Sequence, residues 1–161
     1  MSITLNLGAT DLTTAYSKDY YKPGTTYFDD KGGQYVWGVY VEATVSAAIN
    51  KVCVPVLSST NSAMFSADED DADLQFKDHV GYSPARMTSG KRGWFKCGGR
   101  HLVKECSTSA AELPKGTMFR VPTTDMVIES CETRSLSAGI TLENFSTSAT
   151  SLKSVWLYNF R

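Results

Sequence analysis

The sequence is poor in the residues that build metal centres and disulfide frameworks. Its 161 residues include four cysteines and only two histidines. No two cysteines form a C-x-x-C pair, whereas a structural zinc site normally brings two closely spaced ligand pairs. A disulfide-rich secreted domain is shorter and denser in cysteine. We therefore expect no metal, no cofactor and four reduced thiols in a reducing compartment.

Long apolar runs and a strong charge of either sign are also missing. No run reaches the length of a membrane-spanning helix, and residues 1–8 lack the cationic start and apolar core of a signal peptide. We therefore expect a soluble protein that is made in the cytosol and has no membrane partner. The net charge is −1, and the cations are scattered apart from a small cluster between Lys91 and Lys104. A nucleic-acid binder usually has a basic face, so we expect no nucleic-acid partner.

The sequence does contain many short runs of β-branched and aromatic residues. These runs are about five residues long, recur roughly every ten residues, and are broken by Gly, Pro and Asp turns, which is typical of a β-sandwich or barrel. The predicted strands are Thr26–Phe28, Gln34–Thr44, Lys51–Leu57, Met118–Val121, Met126–Thr133, Ser137–Glu143 and Ser154–Phe160. We predict an all-β fold: a single-domain β-sandwich or β-barrel with short loops at 20–161, preceded by an N-terminal arm at 1–19.

The stretch Gly90–Lys104 has the pattern of a β-hairpin. Two strand-forming runs flank Gly98-Gly99, and glycine tolerates the positive φ that a type I′ turn needs at both central positions. This turn would place Lys96 opposite His101, with His101 on the surface. The stretch also contains Trp94 and Cys97, so it is the first place to look for an active site.

The sequence contains none of the common catalytic patterns. Cys97 and His101 fall on opposite faces of the predicted ribbon, which argues against a nucleophile–base pair. A Walker phosphate loop at Gly90-Lys91 would need Gly and Ser or Thr where Ala85 and Arg92 stand. The acidic run Asp68–Asp73 lacks the glycine and ligand spacing of a calcium loop, so a solvated acidic loop is the better interpretation. We predict that the protein is not an enzyme and has no catalytic residues.

Aromatic residues gather near both ends of the chain. Tyr16, Tyr20 and Tyr21 either present an aromatic arm to a partner or close the bottom of the core. In the last predicted strand, Trp156, Tyr158 and Phe160 share one face and alternate with Val155, Leu157 and Asn159. A strand this aromatic is expected to be buried, in its own sheet or in a neighbour.

Two segments resemble tailed-phage capsid decoration, or cement, proteins. The segment 21–37 (YKPGTTYFDDKGGQYVW) resembles their lysine-proline-glycine turn, aromatic strand, glycine turn and Tyr-Val strand. Gly93-Trp94-Phe95-Lys96-Cys97-Gly98-Gly99 resembles a later Gly-Trp-hydrophobic-polar-x-Gly motif of the same family. The likeness covers roughly residues 20–105.

The resemblance implies a non-enzymatic protein on the capsid exterior of the virion. It would self-associate, with a trimer as the first expectation and a dimer as the second, and stabilise contacts between major capsid protein subunits. The expected partner-binding residues are Tyr16, Tyr20, Tyr21, Trp94, Arg100, Trp156, Tyr158 and Phe160. The alternatives are a carbohydrate- or host-receptor-binding β module of a virion, and a small β-barrel enzyme using Cys97 or the acidic loop.

Overall fold

The computed structural model describes residues 11–43, 46–47, 49, 52–56, 64–66, 81–103, 113–120, 129–132, 137–145 and 153–158. No helix occurs in these ranges. Their strands, in chain order, are β1 (Thr26–Phe28), β2 (Gln34–Tyr40), β3 (Val52–Val56), β4 (Met64–Ser66), β5 (Gly81–Tyr82), β6 (Arg92–Val103), β7 (Met118–Arg120), β8 (Glu129–Ser130), β9 (Gly139–Thr141) and β10 (Lys153–Leu157). The predicted all-β fold is confirmed.

Five of the strands close into a ring. β2 pairs with β4, β4 with β3, β3 with β5, β5 with β6, and β6 pairs back with β2. The β2–β4 pairing is parallel and the other four are antiparallel. β1 adds to this ring as an extra antiparallel strand on β2. A ring of paired strands is a small barrel.

A second group of strands continues from the far half of β6. β10 pairs with Gly99–Val103 of β6, β9 pairs with β10, and β7 joins β9 to β8, all antiparallel. The 12-residue β6 is therefore shared by the ring and by this second sheet.

The predicted hairpin at Gly98-Gly99 is wrong, because β6 runs through both glycines without turning. Tyr35 pairs with Lys96 but Gln34 pairs with Gly98, so Cys97 is an extra residue on β6 and the ladder contains a β-bulge. Gly99 has a φ of 83°. This positive φ lies two residues after the bulge, where β6 approaches Gly32 and Gly33 closely, and it does not form a turn.

The barrel interior is filled by apolar residues that its strands turn inward. Val36 from β2, Cys53 from β3, Phe65 from β4 and Phe95 from β6 belong to one buried cluster. The rings of Phe65 and Phe95 stack with their centroids 4.0 Å apart. A separate cluster packs the second sheet, and its members are Tyr82, Val103, Leu113, Phe119, Ala138, Phe145, Val155 and Leu157.

A third cluster, here called the outer aromatic cluster, covers the opposite face of β2 and β6. It consists of Tyr35, Trp37 and Trp94, with Leu12, Tyr16, Tyr21 and Tyr27 packed against them. The described part of the predicted arm, residues 11–19, supplies Leu12 and Tyr16. It is held to the barrel by hydrogen bonds between the main chains of Tyr16 and Arg92 (2.8 and 2.9 Å) and by an ion pair between Asp19 and the Arg92 Nε (2.9 Å).

The strand β10 has the predicted alternation, but its Trp156 is not buried in its own sheet; burial in a neighbour stays a prediction. Val155 and Leu157 are fully buried, whereas Trp156 is 43% exposed. Within the described residues it is thus the aliphatic face of this strand that packs into the core. Aliphatic residues fill the space between sheets closely, which leaves the indole on the surface.

The remaining predictions concern the turn at Lys22–Thr25, the acidic loop and the absence of a membrane-spanning helix. The turn at Lys22–Thr25 is confirmed by a 2.9 Å hydrogen bond from the Thr25 N–H to the Lys22 carbonyl, with Gly24 at a φ of 89°. The acidic loop Asp68–Asp73, His79 and Phe160 lie outside the described residues. In the ranges that are described, no helix has the length and apolarity needed to cross a membrane.

Candidate binding cleft

A cleft opens where the β1–β2 turn meets β6 and β10. It encloses about 640 Å³ and is lined by Asp29, Lys31, Gly33, Lys96, Arg100, His101, Leu102 and Trp156. This volume lies within the range of small-ligand sites. The strand walls hold their side chains on a hydrogen-bonded ladder, so most of the cleft is formed before any ligand arrives.

The β1–β2 turn forms one wall and is organised by Asp29. One carboxylate oxygen accepts the N–H groups of Lys31 (2.9 Å) and Gly33 (2.6 Å). The other accepts the hydroxyl of Tyr35 at 3.3 Å. Burial, and secondarily the charge of Asp29, raises the pKa of Tyr35 to about 12, so this hydroxyl stays protonated and donates at neutral pH. The carboxylate is therefore occupied by its own turn.

Two cations, Lys96 and Arg100, stand in the cleft and interact with the carboxylates of Asp29 and Glu143 only at longer range. Lys96 lies over the ring of Tyr35, with its Nζ 5.3 Å from the ring centroid. Burial lowers the pKa of Lys96, and the negative charge of Asp29 opposes that shift. Arg100 is exposed and donates from Nη2 to the Ser154 hydroxyl at 3.1 Å. Among the described residues, no carboxylate oxygen lies within 4.0 Å of either cation.

His101 forms part of the cleft floor. Its ring lies on that of Tyr82, with centroids 4.4 Å apart. The prediction that His101 is a surface residue is wrong, because the residue is mostly covered and its Nε2 is buried with no hydrogen-bond partner. Burial, with a smaller contribution from Lys96, lowers the pKa of His101 to about 3, so the imidazole is neutral at neutral pH.

The rim of the cleft is apolar. Trp156 is 43% exposed and Leu102 is 44% exposed. Trp156 pairs in register with Arg100, and Leu102 pairs with Ser154. The rim therefore places an indole and an isobutyl group beside a guanidinium on two adjacent strands.

The structure does not bring Cys97 and His101 together. The Cys97 thiol is buried in the barrel cluster and donates to the carbonyl of Phe95 at 3.3 Å, while His101 stacks on Tyr82. Burial, followed by the proximity of Cys53, raises the pKa of Cys97, which suppresses the reactive thiolate. No group of three or more potential metal ligands occurs among the described residues.

The predicted partner-binding residues separate into two regions. Tyr16, Tyr21 and Trp94 lie in the outer aromatic cluster. Trp94 exposes no surface and packs against Trp37 at 5.4 Å between ring centroids, so its contacts lie within the chain. Tyr20 stands at the edge of this cluster, 43% exposed and 4.9 Å from the Tyr16 ring.

The remaining predicted residues lie at or after β10. Arg100 and Trp156 meet at the cleft. Tyr158 follows β10, and its N–H donates to the Ala138 carbonyl at 2.9 Å. Phe160 lies outside the described residues. Sequence reasoning missed Asp29, Lys31 and Leu102 as site residues, and only the Asp-x-x-Gly-Gly turn pattern at 29–33 gave a local signal for one wall.

Comparisons with known proteins give no match, whether with protein-family models, with curated proteins or with solved structures.

Proposed function

We propose that this protein is a structural decoration, or cement, protein that binds the outside of a phage head and stabilises contacts between major capsid protein subunits. The observation that carries the proposal is the exposed Trp156 and Leu102 beside Arg100 on paired strands. Tryptophan and arginine are enriched among the residues that dominate binding energy at protein interfaces. The resemblance of 21–37 and 93–99 to decoration proteins supports the same role.

Arg100 and Trp156 project from paired strands, and this fixed backbone favours binding. Arg100 is fixed through its hydrogen bond to Ser154, and the neighbours of Trp156 on β10 are anchored in the core. A contact surface that is ordered before binding loses less conformational entropy on association. A clamp that bridges two capsid subunits also gains affinity from effective concentration, and the bridge resists separation of the subunits.

The chemistry of the described residues supports a binding role over a catalytic one. Cys97, the candidate nucleophile, is buried with a raised pKa. The neutral His101 packs against the ring of Tyr82, and the Cys97 thiol donates its hydrogen bond to the Phe95 carbonyl. Neither side chain is placed to activate the other.

Co-sedimentation with assembled heads tests the proposal. Heads built from the major capsid protein of the same genome are mixed with wild-type protein, with Trp156→Ala or with the control Ile49→Ala. Ile49 is not part of the cleft lining, and its apolar side chain is 64% exposed. We expect the wild type and the control to pellet with heads, and Trp156→Ala to bind about tenfold more weakly or worse. If the wild type stays in the supernatant with mature heads, the proposal is wrong. Light scattering of the free protein measures its oligomeric state, for which a trimer is the first expectation and a dimer the second.

A carbohydrate- or host-receptor-binding module is the second candidate. The observation in its favour is the exposed Trp156 at the rim of a cleft, because aromatic faces serve as platforms for apolar faces of ligands. Glycan-array binding that depends on Trp156, together with no binding to heads, would favour this candidate over the first.

A further inference from the structure

The charges in the cleft are unbalanced. Among the described residues, the lining contains the cations Lys31, Lys96 and Arg100 and one carboxylate, that of Asp29. Glu143 is outside the lining but within electrostatic reach of Arg100. That carboxylate already accepts three hydrogen bonds within its turn and from Tyr35. The excess positive charge is local, because the whole chain has a net charge of −1. A concave site of one sign concentrates ligands of the opposite sign.

The polar groups of the cleft select for a hydrogen-bond acceptor. Lysine and arginine only donate hydrogen bonds, and the carboxylate of Asp29, the acidic acceptor among the described lining residues, is already in use. A neutral sugar presents hydroxyl groups that need acceptors as well as donors. A carboxylate only accepts, and its hydrogen bonds with cationic donors are about twice as strong as neutral ones.

The apolar rim defines the rest of the ligand. Trp156 is exposed directly opposite Arg100 on β10, and Leu102 is exposed two residues further along β6. A ligand that uses both features has an apolar group within a few ångströms of its carboxylate. A peptide with acidic and aliphatic side chains meets this requirement. A nucleic-acid strand needs a longer track of cations than this confined cleft provides.

We propose that the cleft binds an acidic peptide segment, with a carboxylate side chain between Lys96 and Arg100 and an aliphatic side chain against Trp156. The assignment of this segment to the capsid partner rests on the proposed function. The affinity of the cleft for such a segment is a property of this chain alone. The two statements are therefore tested separately.

The tryptophans of the chain provide a direct readout. There are three, and Trp37 and Trp94 expose no surface, whereas Trp156 is 43% exposed. Acrylamide in solution therefore quenches the fluorescence of Trp156 in preference to the other two. The probes are a soluble peptide of Glu-Leu-Glu-Ser repeats and its Gln-Leu-Gln-Ser counterpart. We expect the glutamate peptide to protect Trp156 from quenching, with weaker binding as salt is raised, and the glutamine peptide to give no protection.

Charge variants locate the binding. Arg100→Gln and Lys96→Met are each expected to lower the affinity for the glutamate peptide about tenfold. Lys96→Met keeps the apolar stem of the side chain. Lys115→Gln removes an exposed cation from the turn before β7 and is expected to bind as the wild type does. Equal protection by the two peptides, or unchanged binding by both cleft variants, overturns the proposal. Protection by inorganic phosphate or oligogalacturonate but not by the glutamate peptide also overturns it.

Binding to heads separates this inference from the function on which it rests. If Arg100→Gln and Lys96→Met bind heads as tightly as the wild type does, the cleft is not the contact with the capsid. The decoration role is unaffected by that result. Peptide binding without any binding to heads overturns the decoration role and leaves the acidic-peptide site standing. Loss of peptide and head binding together in the two variants supports both.

Discussion

Gly99 of β6 lies directly against Gly32 in the β1–β2 turn. A Cβ atom placed on Gly99 would come within 2.6 Å of the Gly32 carbonyl oxygen and 2.9 Å of the Gly33 Cα. The φ of Gly99 is 83°, a left-handed conformation that costs other residues about 1–2 kcal/mol. Because the opposing atoms are backbone, a side chain here must displace the turn that carries Asp29 and Lys31.

Gly99→Ala is therefore expected to reduce the free energy of unfolding by about 3 kcal/mol, combining backbone strain with overpacking. Urea unfolding measures this change. Gly90→Ala is the matched control, because Gly90 has a φ of 76° and no atom within 4 Å of its added Cβ. The control is expected to lose only about 1 kcal/mol. Equal losses in the two variants would contradict the close approach of β6 to the turn.

Much of the strand pattern was predictable from the sequence. β1, β2, β3, β7, β9 and β10 lie within or close to the predicted runs, because β-branched and aromatic residues mark half-buried strands. β4 and β5 were missed. They have three and two residues and are defined by their partners in the barrel, which local patterns do not encode.

The cleft could not be predicted for the same reason. Lys31, Arg100 and Trp156 are far apart in the chain and meet only through the pairing of β6 with β10 and the approach of Gly99 to Gly32. The sequence did identify Arg100 and Trp156 as candidate contact residues. It gave the wrong local geometry because glycine suits a hairpin turn and a close approach of two backbones equally well, and Gly99 serves the close approach.

The two faces of β10 are expected to respond differently to truncation. Leu157→Ala removes a fully buried side chain and should cost about 2–5 kcal/mol of unfolding free energy. Trp156→Ala removes a side chain that is 43% exposed and should cost less than about 1 kcal/mol. Urea unfolding of both variants measures the difference. If Trp156→Ala is as destabilising as Leu157→Ala, the assigned inward and outward faces of β10 are wrong.

Cys97 is expected to be inert towards thiol reagents in the folded protein. Burial raises its pKa and also excludes the reagent. Iodoacetamide labelling at mildly alkaline pH, followed by peptide mass spectrometry, should leave Cys97 unmodified in native protein and alkylate it fully in urea. The urea sample is the control for intrinsic reactivity. Rapid alkylation of Cys97 in the native state would revive the enzymatic interpretation.

His101 is expected to make the fold sensitive to acid. Burial lowers its pKa to about 3 in the folded chain, whereas an unfolded histidine titrates near about 6.5. Between these values the unfolded chain takes up a proton that the folded chain does not. The free energy of unfolding therefore falls as the pH falls, by up to about 1.4 kcal/mol per pH unit from this group, and the stabilisation is complete above the unfolded pKa.

Replacing His101 by phenylalanine isolates this effect. His101→Phe keeps an aromatic ring against Tyr82, which His101 contacts at 4.4 Å, and removes the titrating group. Urea midpoints between pH 7 and about pH 4 should fall less steeply for His101→Phe than for the wild type, because the buried imidazole no longer contributes to the slope. His79→Gln removes the only other histidine and retains the contribution of His101 to the slope. Parallel pH profiles for His101→Phe and the wild type would show that the buried imidazole does not resist protonation.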